Sequence, residues 1–229
     1  MRTESINQFR IVPAGDAAWL VEWAPRIDPA ISGRAVAFAD QSRRLHPAVR
    51  DVVVGYCSVT VYFDPRQIDG DEFGSRLHGL ASDARDAGET DGADIDVDVC
   101  YGGEFGPDLA DVAARARVSE AEVIALHTER TYRVYVVGFI PGFPYMASVD
   151  EKLALPRRAT PRTRVPAGSV AIAAGQTGIY PRETPGGWHL IGRTHVKPYD
   201  RSRANPFLFR PGDRVRFHAI DRERFEGFA

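Results

Sequence analysis

The chain has 229 residues, 44% of them hydrophobic and 26% charged, with a net charge of −2. That length and balance suit one large or two modest globular domains with a buried core. A charge so near zero supplies no positive field for nucleic acid or anionic membranes, and no run approaches the ~20 apolar residues of a membrane span.

The opening MRTESINQFRIV has no apolar stretch of signal-peptide length, so a cytoplasmic protein is expected. Phe9–Pro13 and Trp19–Trp23 read as strands about the turn Ala14-Gly15-Asp16. Asp28 before Pro29 is a helix cap followed by proline at the first helical position. Ile31, Ala35, Phe38 and Ala39 follow at helical spacing, which predicts a helix over Pro29–Leu45. Val49–Gly55 and Ser58–Phe63 alternate as strands, and Phe73, Leu77, Leu80, Ala81 and Ala84 repeat as a second helix. The expected first domain, residues 1–90, is therefore a small α+β unit of order ββαββα. The small, acidic stretch Asp86–Asp94 is the expected boundary.

The second domain, residues 91–229, opens with a strand in which Ile95, Val97 and Val99 alternate with polar neighbours. Cys57 and Cys100 each lie in an alternating apolar segment and read as buried thiols. A helix pair is expected near 107–130, turning at Arg117-Val118, with Ser119 and Glu122 as a capping box for the second helix. The pair has the outline of a helix-turn-helix, but the second helix offers Glu120, Glu122, Val123, Ile124 and Leu126 where base edges call for basic groups, so a structural pair is expected. His127 on it reads as a core or cap residue. Tyr132–Val137 is a strand, and Pro211-Gly212-Asp213 turns into a last strand with Val215, Phe217 and Ala219 inward.

Between these lie GFIPGFPYM (138–146), PRRATPRTRVPAGSVAIAAGQTGIYP (156–181) and PGGWHLIGRT (185–194). Glycine and proline are dense here, yet Phe139, Phe143, Tyr145, Tyr180, Trp188 and the run Val170–Ala173 can bury area. Short strands joined by specified turns are expected, and with the flanking strands they predict a mostly β barrel. No G-x-x-x-x-G-K-[ST] loop and no G-x-S-x-G elbow is present, and Ser169 reads as a strand start. The six histidines show no metal-ligand spacing, so no metal site is expected.

These three segments, with YGGEFGPDLADVA (101–113) and PGDRVRF (211–217), resemble the family of KipI and the 5-oxoprolinase B subunit, also labelled allophanate hydrolase subunit 1. The family is similar to part of the carboxyltransferase domain of urea carboxylase. The resemblance implies a cyclophilin-like barrel for the second half. It also implies a subunit of an ATP-dependent 5-oxoprolinase or related urea- or allophanate-metabolising complex, opening a lactam to glutamate and inactive alone. The implied partner is a second barrel subunit of the allophanate hydrolase subunit 2, KipA-like, type. ATP is the implied cofactor, with the subunit that binds it left open. No serine–lysine amidase arrangement accompanies the hydrolase label. The alternative is a non-catalytic regulator, since KipI inhibits a sporulation histidine kinase.

The candidate residues follow from chemistry. The Gln176 amide, read as part of a turn after Gly175, can both donate to and accept from a lactam or urea. Thr177 and the amides around Gly178 can hold a developing oxyanion or a phosphoryl oxygen. Arg162 and Arg164 offer forks to a carboxylate or phosphate. Gln176, Thr177 and Arg162 are the catalytic candidates. Phe143, Tyr145, Arg164, Gly178, Tyr180, Trp188 and His189 are the substrate-binding ones, with Phe143 and Trp188 as walls. Arg157, Arg158, Arg182 and Arg193 read as solvated.

Overall fold

The computed structural model describes residues 8–83 and 92–227. They form two compact units, one within Met1–Asp91 and the other within Gly92–Ala229. Ala84 and the boundary stretch as far as Asp91 lie outside the described residues.

The first unit runs β1 (Phe9–Pro13), β2 (Ala18–Trp23), α1 (Pro29–Leu45), β3 (Val49–Val54), β4 (Ser58–Phe63) and α2 (Gly70–Asp83). Its antiparallel sheet has the order β1-β2-β4-β3. Helix α1 begins where the Asp28 carboxylate accepts from the Ala30 and Ile31 amides and Pro29 fixes the first turn. The face Ile31, Ala35, Phe38 and Ala39 is fully buried, sharing one core with Val59 and Val61 of the sheet and Phe73 and Leu77 of α2.

The second unit contains β5 (Asp94–Tyr101), α3 (Leu109–Ala116), α4 (Glu120–Thr128), β6 (Thr131–Val137), β7 (Pro144–Ala147), β8 (Arg162–Val165) and β9 (Ser169–Ala173). It continues with β10 (Gln176–Ile179), β11 (Thr184–Gly186), β12 (His189–Arg193), β13 (Arg214–Ile220) and α5 (Arg222–Glu226). Seven strands close a barrel in the order β10-β7-β6-β13-β5-β12-β9, while β8 and β11 form a separate two-stranded sheet. Only the β5–β13 pair of the barrel is parallel. Alternation sends Val97, Val99, Val134, Met146, Ile172, Ile179, Val215 and Phe217 into its core.

The helix pair turns where Arg117 adopts a left-handed φ of 59°, and Ser119 caps α4 by accepting from the Glu122 amide at 3.1 Å. Its buried residues, Val112, Ala113 and Val123, join the barrel core. Ala219, expected inward, is exposed. Strand β6 pairs with β13 only through Arg214–Arg216, so Ala219 lies past the stretch that is covered on both edges.

Candidate functional site

The hairpin joining β9 to β10 turns on Ala174 and Gly175, with φ of 49° and 79°. Two successive left-handed residues match the twist of a tight hairpin. Gln176 is therefore not in the turn: it is the first residue of β10, paired with Ala173 on one side and Ala147 on the other. The strand's period then separates the candidates. Gln176 and Gly178 face outward from the barrel, and Thr177 and Ile179 face its core.

Gly178 does not have a left-handed φ. Glycine is required there by close approach, because a Cβ would stand 2.7 Å from Phe143 Cζ and 2.9 Å from the Pro144 carbonyl oxygen. Thr177 pairs with Met146 of β7 and Ile172 of β9, and Gly178 pairs with Ala171 of β9, so both stand in the sheet rather than in an open turn.

Phe143 fills the outer face as the centre of an aromatic cluster. Its ring centroid lies 4.8 Å from Tyr145, 5.1 Å from Tyr180 and 5.4 Å from Trp188, all tilted or edge-on. Ala171, Ala173, Val165 and Leu190 complete this second core. The small alanines of β9 and the bare Gly178 leave the space that these rings occupy. Burial pushes the Tyr180 phenol up to about 12, and it raises Tyr145 as well. Both phenols are consequently neutral hydrogen-bonding groups at neutral pH.

Thr177 is fully buried. Its Oγ1 lies 2.9 Å from His127 Nε2, and the Tyr101 hydroxyl lies 2.7 Å from His127 Nδ1. The Tyr132 hydroxyl donates to the His127 carbonyl at 2.9 Å. His127 is thus a core residue whose two ring nitrogens are both satisfied, and desolvation pushes its pKa down to about 3. This network turns Thr177 away from the outer face that carries Gln176.

Arg162 lies against Asp108 rather than open to a ligand, with both terminal nitrogens on the carboxylate. Arg158, expected to be solvated, donates to the same carboxylate at 2.8 Å. Arg164 is exposed and lies across from Glu183 at 3.0 and 2.9 Å. His189 pairs with the barrel-core residue Ile172. Its Nε2 is 2.9 Å from the Pro156 carbonyl and therefore carries the proton, while the buried Nδ1 has no hydrogen-bond partner among the described residues.

The structure thus gathers Gln176, Gly178, Phe143, Tyr145, Tyr180 and Trp188 on one outer barrel face. It does not bring Thr177, Arg164 or His189 to that face, and it gives Arg162 a structural partner. Sequence reasoning does not find Asp108 as that partner. The only local signal is a carboxylate just before helix α3, which reads as a cap, yet its side chain makes no capping bond.

A cavity of about 360 Å³ lies elsewhere, lined by Asp96, Asp98, Thr194, His195, Val196 and Ile220. Its carboxylates are already paired, Asp96 with His218 and Asp98 with Arg224, so the outer aromatic face remains the better candidate. Among the described residues no group of three His, Cys, Asp or Glu side chains could hold a metal, and no helix is long and apolar enough to cross a membrane.

A family described as carboxyltransferase domain, subdomain C and D, matches residues 9–209. The chain belongs to this family. A 5-oxoprolinase B subunit from Escherichia coli O157:H7 is 42% identical, over 93% of this chain and 96% of its own length. The crystal structure of TTHA0988 has a TM-score of 0.79 at 38% identity and covers 89% of this chain. This chain spans 40% of that longer one. The Kluyveromyces lactis urea carboxylase shares the fold, with a TM-score of 0.75 at 19% identity, over 99% of this chain and 23% of that one. The chain is thus a carboxyltransferase-domain protein and a homologue of the 5-oxoprolinase B subunit.

Proposed function

We propose that the chain is one subunit of an ATP-dependent 5-oxoprolinase that opens a lactam to an amino acid together with a second barrel subunit. The observation that carries this reading is the 42% identity to a 5-oxoprolinase B subunit along nearly the full length of both chains. The outer face supports it. Gln176 stands on the same strand face as Gly178 and the aromatic cluster packed over it, and a lactam offers the carbonyl and N–H pair that a glutamine amide matches. The rings exclude water and wall the substrate, and Gln176 orients its amide bond.

ATP would supply the phosphoryl group that activates the lactam carbonyl for attack by water. This chain lacks a phosphate loop, and Lys152, one of its two lysines, is paired with Glu122. Both features support placing ATP with the partner subunit. Phe139, 63% exposed on a left-handed φ of 65°, and Phe207, 40% exposed, offer apolar surface for that partner.

The test is ATP hydrolysis by the co-purified complex against a panel of lactams and ureas. Stimulation by 5-oxoproline above urea and allophanate is expected; stimulation by urea alone would move the assignment to the urea-metabolising branch.

A further inference from the structure

The segment carrying Arg157 is fastened to the start of β12 on both of its sides. The Arg158 amide donates to the Gly187 carbonyl at 2.8 Å. His189 Nε2 donates to the Pro156 carbonyl at 2.9 Å. Arg157 is thereby held alongside Trp188, whose ring stands 5.8 Å from that of Tyr145. The neighbouring arginines are engaged in ion pairs: Arg158 and Arg162 share the single carboxylate of Asp108, and Arg164 takes Glu183. Arg157 is exposed and pairs with no carboxylate among the described residues. Its charge still reaches the aromatic face. Burial pushes the Tyr145 and Tyr180 phenols up, and the Arg157 guanidinium draws both partly back.

We infer that Arg157 is a specificity-determining residue of this face, the anchor for the carboxylate of a small lactam acid whose ring lies against Tyr145 and Trp188. The assignment rests on the lactam reading above and adds to it the discrimination between an acidic lactam and a neutral lactam or urea. A guanidinium fork matches the two oxygens of a carboxylate. A backbone tethered on both sides of the residue reduces the ordering cost of using it. Gln176 can pair with the amide end of the same molecule, so the two polar ends of the ligand meet different side chains. A urea or an uncharged lactam presents nothing for Arg157 to hold.

The experiment is calorimetric titration of the assembled complex with 5-oxoproline and with its uncharged carboxamide, for wild type, Arg157→Met and Arg157→Lys. Wild type should bind the acid at least tenfold more tightly than the amide. Arg157→Met should weaken the acid about 10- to 100-fold, the range of one charge-assisted hydrogen-bonded contact, and leave the amide unchanged. Arg157→Lys keeps the charge without the fork and should recover part of the loss. In turnover, Arg157→Met should raise KM and leave kcat nearly unchanged, because the anchor grips ground state and transition state alike. Unaltered acid binding in Arg157→Met, or equal losses for acid and amide, would overturn the assignment. A complex that binds the acid through Arg157 but does not open it with ATP contradicts the proposed function and leaves the anchor standing. A complex that binds neither ligand overturns both.

Discussion

Arg162 lays its two terminal nitrogens across the two carboxylate oxygens of Asp108, at 2.8 and 2.7 Å, although 54 residues separate them. Arg158 adds a bond of 2.8 Å and the Leu190 amide one of 2.7 Å. One buried carboxylate thus ties the start of α3 to β8, to the segment before it and to β12. Burial alone would push the Asp108 carboxyl up; the Arg162 and Leu190 bonds outweigh it and hold the group below its ordinary value. Its stabilisation is therefore complete above the usual carboxylate range and is lost as the pH falls through the lowered value. Asp108→Asn should cost about 3 kcal/mol of unfolding free energy, because it leaves two arginines without their counter-charge. Urea unfolding at neutral pH measures this, and a loss below about 1 kcal/mol would mean the arginines find solvent instead.

Gly178→Val should be destabilising by overpacking. The first added carbon meets the Phe143 ring at 2.7 Å, and Phe143 is wedged among Tyr145, Tyr180 and Trp188. The expected cost is about 1–3 kcal/mol, with a changed near-ultraviolet circular dichroism spectrum as the aromatic cluster shifts. An unchanged thermal midpoint would show that Phe143 can move aside freely.

His127 makes stability depend on pH. Its folded value of about 3 lies below the ordinary 6.5, so the unfolded chain binds the extra proton between those limits. The contribution is fully present above pH ~6.5 and declines as the pH falls towards the folded value. Between pH 8 and pH 5 this should remove about 2 kcal/mol in wild type. His127→Gln should lack that component when unfolding free energies are compared at the two pH values. Equal pH dependence in both proteins would place the imidazole in contact with water.

Much of the fold is legible in the sequence because its signals are local. Asp28-Pro29 and the spacing of Ile31, Ala35, Phe38 and Ala39 mark α1, and the alternation of Val97 and Val99 marks β5. The site is legible only in part. Phe143, Tyr145, Tyr180 and Trp188 stand out as a group, since aromatic residues in a glycine-rich stretch need somewhere to pack. The turn beside Gln176 reads one step late from sequence: Ala174, and not a glycine alone, takes a left-handed φ, which moves Gln176 into the strand and sends Thr177 to the core. Glycine at 178 suggests a left-handed backbone, whereas the demand comes from Phe143, 35 positions earlier in the chain. The roles of Arg158 and Arg162 are hidden for the same reason, because Asp108 meets them only in the closed barrel.

Gln176→Ala tests the proposed role of the amide that β10, rather than a turn, carries on the outer face. Removing a polar partner from a closed site should cost about 1–3 kcal/mol of binding or transition-state stabilisation, about ten- to a hundred-fold in turnover of the assembled complex. The variant should remain folded, because the alanines at 147 and 173 on either side keep the ladder. Wild-type turnover with a normal thermal midpoint would remove Gln176 from the site.

The two-subunit reading is tested by glutamate formation from 5-oxoproline and ATP by the isolated chain, by its partner subunit and by the mixture. Two incomplete subunits should each be silent alone, and mixing should produce glutamate together with ADP and phosphate. Full activity from the isolated chain, or a stable mixed complex that forms no glutamate, would contradict the account.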